Sequence, residues 1–413
     1  MEAKKYWFSL RSHVYAEFKS DTMLLYDTHT GMRMEVVAKE AISLVTQMRE
    51  PENLGVVLFD WEKQKNAEVQ SFVRSVTELK MGDLWKYEEG RQKPVRLYPI
   101  LNLQRDIDRL KDGKGNEFLL GKDVINYLLE LNIYLTDVCD KSCKYCADYY
   151  KQIRCCTSSN SGEILSIELF EELVEQIKHS PVGKINILGG NILKYNDLKR
   201  MFDSLESLKE AVHCYIHYKN YTPDECVNHQ RIELIVDFPV DEISFKNAWL
   251  KLEKESTNVH FVIENVEQYF EADRLVNDFK IEHLSIHPFF TGDNLGFFEE
   301  NIFFGKEHIL SNTLQMREIF RNQKLNSNFF GILHILPDGS VKANMNAETL
   351  GNIKRDTVLD LIYKELIDNT AWRKVRNERP CTDCIYHFIC PAPSNYEKAI
   401  GRQNLCRIKQ IIE

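Results

Sequence analysis

The 413-residue chain has no run of 18 apolar residues, so no transmembrane helix is expected. It has no surplus of positive charge either. Lys and Arg number 53 against 62 Asp and Glu, a net charge of −9, which argues against a general nucleic-acid binder with its basic face. The first residues, Met1-Glu-Ala-Lys-Lys-Tyr-Trp-Phe8, lack the long apolar core of a signal peptide. A cytoplasmic location follows as an expectation, with no membrane contact. The apolar share of 43% and charged share of 28% are those of a soluble globular protein, and the length allows two or three domains. Cysteine is not scarce. Eleven cysteines without an export signal point to thiolate ligands in a reducing compartment, and an odd count does not allow full disulfide pairing.

Three of them stand close together, in Cys139-Asp-Lys-Ser-Cys143-Lys-Tyr-Cys146, after the apolar stretch Leu131–Thr136. Three thiolates from one short loop can hold three irons of a [4Fe–4S] cube and leave the fourth iron open to a ligand. Zinc is the alternative, with Cys155 or Cys156 closing the set. The C-x₃-C-x₂-C spacing, with Tyr145 before the last cysteine, resembles the radical S-adenosylmethionine (SAM) signature. That resemblance implies that the open iron binds SAM and that cleavage yields a 5′-deoxyadenosyl radical. It also implies a flavodoxin- or ferredoxin-type electron donor.

From residue 131 strands and helices alternate. The strand patterns are 132–136, 184–188, 212–217, 233–238, 259–264 and 282–287. The helical ones are 166–179, 193–209, 241–255 and 266–279, with a weaker one over 223–230. Such alternation predicts a parallel sheet curled into a partial (β/α)₆ barrel, with its site at the C-terminal ends of the strands. The cysteine loop follows the first strand. The second is followed by Gly189-Gly190-Asn191, where radical SAM enzymes often carry Gly-Gly-Glu. The resemblance implies that this segment cradles the methionine end of SAM and that Tyr145 lies by the adenine. Asn191 replaces the acid, and a neutral carbonyl makes roughly half the contact with an ammonium that a carboxylate makes.

Residues 1–95 read as a separate module. Two strand-like runs over 15–37 are broken by Asp27 and Gly31, and helical spacing follows at 38–49 and 67–80. This order resembles the winged-helix-like, PqqD-like element that binds the leader of a precursor peptide as an added strand. Residues 96–130 read as a connector ending in a short helix, 131–290 as the barrel and 291–330 as a bridging region.

Residues 331–413 carry four further cysteines, Cys381-Thr-Asp-Cys384, Cys390 and Cys406. Upstream lie Ile335-Leu-Pro-Asp-Gly339-Ser-Val-Lys and Leu350-Gly-Asn-Ile353. The whole resembles the SPASM extension of peptide-modifying radical SAM enzymes. Three of that pattern's seven cysteines are missing: none lies 9–15 residues before Gly339, and Asn344 and Ser394 occupy the other two places. The missing three belong to the first auxiliary cluster. One auxiliary [4Fe–4S] cluster, held by Cys381, Cys384, Cys390 and Cys406, is therefore implied, and the same spacing also permits a Cys₄ zinc site. Met345 stands where sulfatase-maturing relatives have an aspartate, which argues against formylglycine formation.

The expected function is modification of a ribosomally made precursor peptide, by thioether or C–C crosslinking or by epimerisation. A peptide-binding scaffold of the pseudo-radical SAM kind in Bacteroidales Gly-Gly-leader systems is the second reading, and a small-molecule radical SAM enzyme the third. Cys155-Cys156 read as loop thiols, Cys214 and Cys226 as core or near-core residues, and His287 as a hydrogen-bonded structural histidine. Phe289, Phe290, Phe297 and Phe298 read as packing between domains.

Overall fold

The computed structural model describes residues 5–97, 123–141, 143–147, 149–156, 161–224, 226–227 and 229–408. Its N-terminal part holds β1 (Lys5–Leu10), β2 (Val14–Lys19), β3 (Thr22–Asp27), β4 (Arg33–Val36), β5 (Val57–Asp60) and β6 (Gly82–Lys86). They form two three-stranded antiparallel sheets, ordered β5-β1-β6 and β2-β3-β4. The helices Lys39–Arg49 and Ala67–Glu78 cover them. Asn66 starts the second helix by accepting from the backbone N–H groups of Glu68 and Val69. Phe8, Met23, Leu25, Ala41, Val45, Val69 and Val73 form a shared core. On the other face of the second sheet, Tyr15, Leu24 and Tyr26 pack against Ile309, Ile319, Tyr386 and Ile389. Two strand runs were expected over 15–37, and three strands stand there. β1, β5 and β6 were not anticipated. They are four to six residues long and pair across up to 80 positions of sequence, so no local period announces them.

The expected connector over 96–130 lies mostly outside the described residues; Val124–Tyr127 form a 3₁₀ turn. Six parallel strands follow: β7 (Glu130–Tyr134), β8 (Lys184–Leu188), β9 (Val212–His217), β10 (Arg231–Asp237), β11 (Thr257–Ile263) and β12 (Leu284–Pro288). Their spatial order is their sequence order. Their pattern is apolar outward and mainly polar inward. Leu131, Ile133, Ile185, Ile187, Leu234, Val236, Val259 and Phe261 pack with the surrounding helices. Asn132, Asn186, Tyr215, Glu233 and His260 alternate with them, as the two-residue period of a strand requires.

The helix Val266–Phe279 matches its expected span. The expected helix 193–209 is shorter, Leu198–Ser204 followed by a 3₁₀ segment, and that over 241–255 ends at Trp249. Among the described residues of 223–230 the chain only turns.

Beyond the barrel, β13 (Ile332–Ile335) adds to the free edge of β7 in parallel, and β14 (Ser340–Lys342) and β15 (Gly351–Asn352) continue antiparallel. One nine-stranded sheet results, with β7 in its interior. Among the described residues no helix is long and apolar enough to cross a membrane.

Candidate functional site: two groups of thiols

The cysteine loop crosses the C-terminal ends of the barrel strands. Cys143 precedes the short helix Lys144–Ala147 and Cys146 lies within it, its N–H donating to the Cys143 carbonyl at 3.0 Å. The Cys139 sulfur accepts from Lys141 N–H at 3.4 Å and from the Asn220 amide, beyond β9, at 3.6 Å.

Gly189 and Gly190 hold this loop from beneath. Both have positive φ, +101° and +47°. A Cβ on Gly189 would fall 2.6 Å from the Thr136 carbonyl oxygen, and one on Gly190 2.3 Å from that of Val138. The close approach that demands glycine here is thus to the chain's own cysteine loop, not only to a ligand. Asn191 N–H donates to Val138 carbonyl at 2.8 Å, and the Asn191 side-chain oxygen accepts from Leu193 N–H at 3.2 Å. That oxygen already serves as the cap of a 3₁₀ turn.

Tyr145 is buried, edge-on to Phe289 with ring centroids 4.4 Å apart. Its hydroxyl donates to Glu264 at 2.5 Å, and Lys144 pairs with the same carboxylate. Burial and the Glu264 carboxylate push the phenol well above its ordinary pKa, so it stays a donor.

A second pair at this place has no signal in the sequence. His217 Nε2 lies 3.0 Å from Asp237 Oδ1, while Nδ1 accepts from Lys219 N–H at 3.2 Å. His217 therefore carries its proton on Nε2 and donates it to Asp237. Ligand atoms of Cys143, His217 and Asp237 all lie within 4.8 Å of one another. Burial opposes the Asp237 charge, but the His217 hydrogen bond and the nearby Lys219 charge hold its pKa below the ordinary value. The Cys143 thiol is pushed up by its hydrogen bond with Cys146, by burial, and by nearby Cys156 and Asp237.

Cys155 and Cys156 are not surface-loop thiols: their relative exposures are 7% and 5%. The segment Lys151–Cys156 enters the barrel. Arg154 pairs with Glu130 at 2.6 Å and reaches the Tyr215 hydroxyl at 3.5 Å. Cys155 packs among Tyr134, Leu188, Tyr215, Ile235 and Val262. Gln152 exchanges two hydrogen bonds with the backbone of Phe290, and Lys151 two with Asn346. His287 is hydrogen-bonded as expected, to His260 at 2.7 Å, and His260 contacts Glu233 at 2.5 Å. Phe298 is fully buried with Phe303 and Leu405, joining the post-barrel segment to the C-terminal one.

A cavity of 410 Å³ opens beside the loop, lined by Cys146, Lys151, Asp137, Glu163, Leu336 and Met345 among others. Its walls come from the barrel and from the segment joining β13 to β15.

Two of the four C-terminal cysteines, Cys381 and Cys390, lie by Arg376. Cys384 N–H donates to Cys381 carbonyl at 3.1 Å, and Cys390 N–H to Tyr386 carbonyl at 3.0 Å. Cys406 is placed by a bridge to Phe304, and its sulfur accepts from the Asn404 amide at 3.3 Å. Arg376 is buried, pairs with Glu397 at 2.5 Å, and counts Cys381 and Cys390 among its charge neighbours. Burial raises the Cys381, Cys384 and Cys390 thiols, the last to about 12; Arg376 works against this at Cys381 and Cys390. Sequence spacing gave no sign of Arg376. Asn344 and Ser394 lie close together: the Asn344 amide donates to Asn395 at 2.8 Å, and Ser394 caps the helix Asn395–Ile400.

Thiol groups of this kind can hold an iron–sulfur cluster or a single zinc ion. Zn–S bonds of about 2.3 Å bring tetrahedral sulfurs to about 3.8 Å from one another. Among the described residues, ligand triplets within 4.8 Å occur at Cys143–His217–Asp237 and at His13–Asp27–His29, and not among the cysteines alone.

Residues 133–304, which span the barrel strands, match the family profile described as "Radical SAM superfamily". No curated protein matches the chain. Among solved structures, Streptococcus suis SuiB bound to S-adenosylmethionine aligns at 15% identity over 97% of this chain and 99% of that one, with a TM-score of 0.49. SuiB bound to its precursor peptide SuiA aligns at 15% identity over 97% and 98%, TM-score 0.45. Native anSMEcpe with bound AdoMet and Cp18Cys peptide aligns at 13% identity over 66% of this chain and 90% of that one, TM-score 0.46.

Proposed function

We propose that the protein is a radical SAM enzyme that modifies a ribosomally made precursor peptide. The observation that carries this reading is the Cys139–Cys143–Cys146 loop lying across Gly189-Gly190 at the C-terminal ends of six parallel strands. In this reading the three thiolates hold a [4Fe–4S] cluster, and Gly189, Gly190 and Asn191 flank the methionine end of SAM. Bound there, the cluster and SAM would supply a carbon radical able to take a hydrogen atom from a peptide C–H bond. Cys381, Cys384, Cys390 and Cys406 would hold one auxiliary cluster with no open iron, Arg376 offsetting part of its negative charge. Tyr145, locked as a donor to Glu264, would set one wall by the adenine. The cavity between the barrel and the β13–β15 segment would admit the peptide. Residues 1–95 would bind its leader, and a flavodoxin- or ferredoxin-type protein would deliver the electron. The domain division is 1–95, 96–130, 131–290, 291–330 and 331–413.

The test is anaerobic reconstitution with iron and sulfide, followed by iron counting and a SAM-cleavage assay with a strong reductant. About eight irons per chain, with 5′-deoxyadenosine formed and then stimulated by the precursor peptide, is the expected result. A filled cluster that cleaves no SAM would overturn it.

A specific observation favours a second reading, the peptide-binding scaffold. Arg154 and Cys155 fill the barrel lumen, and the Asn191 carbonyl is already engaged. Leader binding without SAM cleavage would mark that reading.

A further inference from the structure

We propose that His13, Asp27 and His29 form a binding site for a divalent transition-metal ion of the zinc class, separate from both cysteine groups. The site stands at one end of the β2–β3 pair. Val14 and Asp27 are cross-strand partners, and the backbone N–H and hydroxyl of Thr28 both donate to the His13 carbonyl, at 3.1 and 2.8 Å. The backbone therefore brings residues 13 and 27–29 to one point.

The Asp27 side chain is already oriented. Its Oδ1 accepts from the N–H groups of His29 at 2.8 Å and Thr30 at 3.1 Å. Oδ2 is left facing His13 Nε2 at 3.6 Å. That is too long for a hydrogen bond, yet close to the roughly 3.3 Å between two ligands of a tetrahedral ion with bonds near 2.0–2.1 Å. The His13 and His29 rings stack at 4.2 Å with 14° between their planes. All three ligand atoms lie within 4.8 Å of one another. Rotation of the exposed His29 ring closes the remaining gap.

A further fact favours a metal over a plain ion pair. Among the described residues neither imidazole makes a hydrogen bond, and the half-buried His13 ring lines the cavity beside Asp27.

Two imidazoles and one carboxylate are a donor set for zinc, cobalt or nickel, and three ligands leave a fourth position open. That position faces a cavity of 870 Å³ whose walls include Ser12, Thr313, Gln315 and Arg317. The positive Arg317 favours water-derived or carboxylate oxygen there. The inference is independent of the proposed enzymatic activity.

The test uses the full chain, with its clusters loaded and then washed with chelator. Zinc is titrated by calorimetry, and the bound ion is examined by X-ray absorption at the zinc edge. The expected result is one zinc per chain with a nitrogen and oxygen shell near 2.0–2.1 Å and no sulfur near 2.3 Å. His29→Ala, at an exposed residue without side-chain hydrogen bonds, should weaken binding at least tenfold, on the order of what losing even an outer-shell partner costs. His13→Ala should do the same, and His179→Ala should change nothing. Absence of bound zinc, a sulfur shell, or unchanged affinity in His29→Ala would overturn the proposal.

Discussion

The loop of Cys139–Cys146 and the group of Cys381–Cys406 are both thiol sites, and their surroundings carry opposite charge. The first faces the Asp237 carboxylate through Cys143 and is shaped by backbone packed on glycine. The second closes around a buried guanidinium, Arg376, which is itself tied to Glu397. In the proposed function the four thiolates would form a complete ligand set, with a cation beside Cys381 and Cys390. Three thiols beside an anion, with a cavity alongside, form an incomplete one that suits a cationic ligand. SAM carries a sulfonium and an ammonium, so the difference in charge parallels the proposed division between a reactive and an auxiliary cluster.

The comparison breaks most sharply at Cys143. Cys143→Ala should reduce iron from about eight to about four per chain and bring 5′-deoxyadenosine formation to background, with the C-terminal cluster retained. Loss of both clusters in this variant would show that the two sites are not independent.

At the other site, Arg376→Ala leaves Glu397 buried without its partner. Removal of one member of a buried ion pair costs about 3–5 kcal/mol. Chemical denaturation should show that loss, and iron counting should show the C-terminal cluster failing while the loop cluster still forms. Equal retention of both clusters would remove Arg376 from the account.

Acid should weaken the barrel. Burial pushes the pKa of His287 down to about 4 and that of His334 to about 3. Both stay neutral when folded and take up protons when unfolded, below about 6.5. The unfolded state then binds more protons, so stability present above pH 6.5 is lost as pH falls toward the folded-state values. At pH 5 each histidine would account for about 2 kcal/mol. Denaturant midpoints between pH 7 and 5 measure this, and His334→Gln should flatten part of the slope.

Gly190→Ala tests the glycine support. A side chain at φ +47°, 2.3 Å from the Val138 carbonyl oxygen, should cost about 1–3 kcal/mol in backbone strain and lower iron retention at the loop only. The smallest effect is expected at Asn191. Asn191→Asp keeps an oxygen cap for Leu193 N–H and adds a negative charge. SAM affinity should rise by about fivefold, the value of about 1 kcal/mol gained by a charge-assisted hydrogen bond. An unchanged Kd would mean that residue 191 does not meet the ammonium.

The barrel strands were legible because their residues alternate between two environments. In Glu130-Leu-Asn-Ile-Tyr134 and Lys184-Ile-Asn-Ile-Leu188 every second residue must meet a helix, and a two-residue period records that locally. The cysteine spacings were legible because ligands drawn from one short loop lie near one another in sequence. The glycine pair was also visible, though its main steric reason, the crossing cysteine loop, was not.

What the sequence by itself determined is therefore the kind of local element and the ligand-bearing loops, since each depends on residues a few positions apart. Tertiary structure alone decided the pairing of β13 with β7, the placing of Arg154 by Glu130 and Tyr215, the burial of Cys155, and the meeting of Cys143 with His217 and Asp237. It also decided the placing of Arg376 by Cys381 and Cys390 and of His13 against Asp27 and His29. Each joins side chains from separate elements through burial and charge, and contacts of that kind leave no period in the chain.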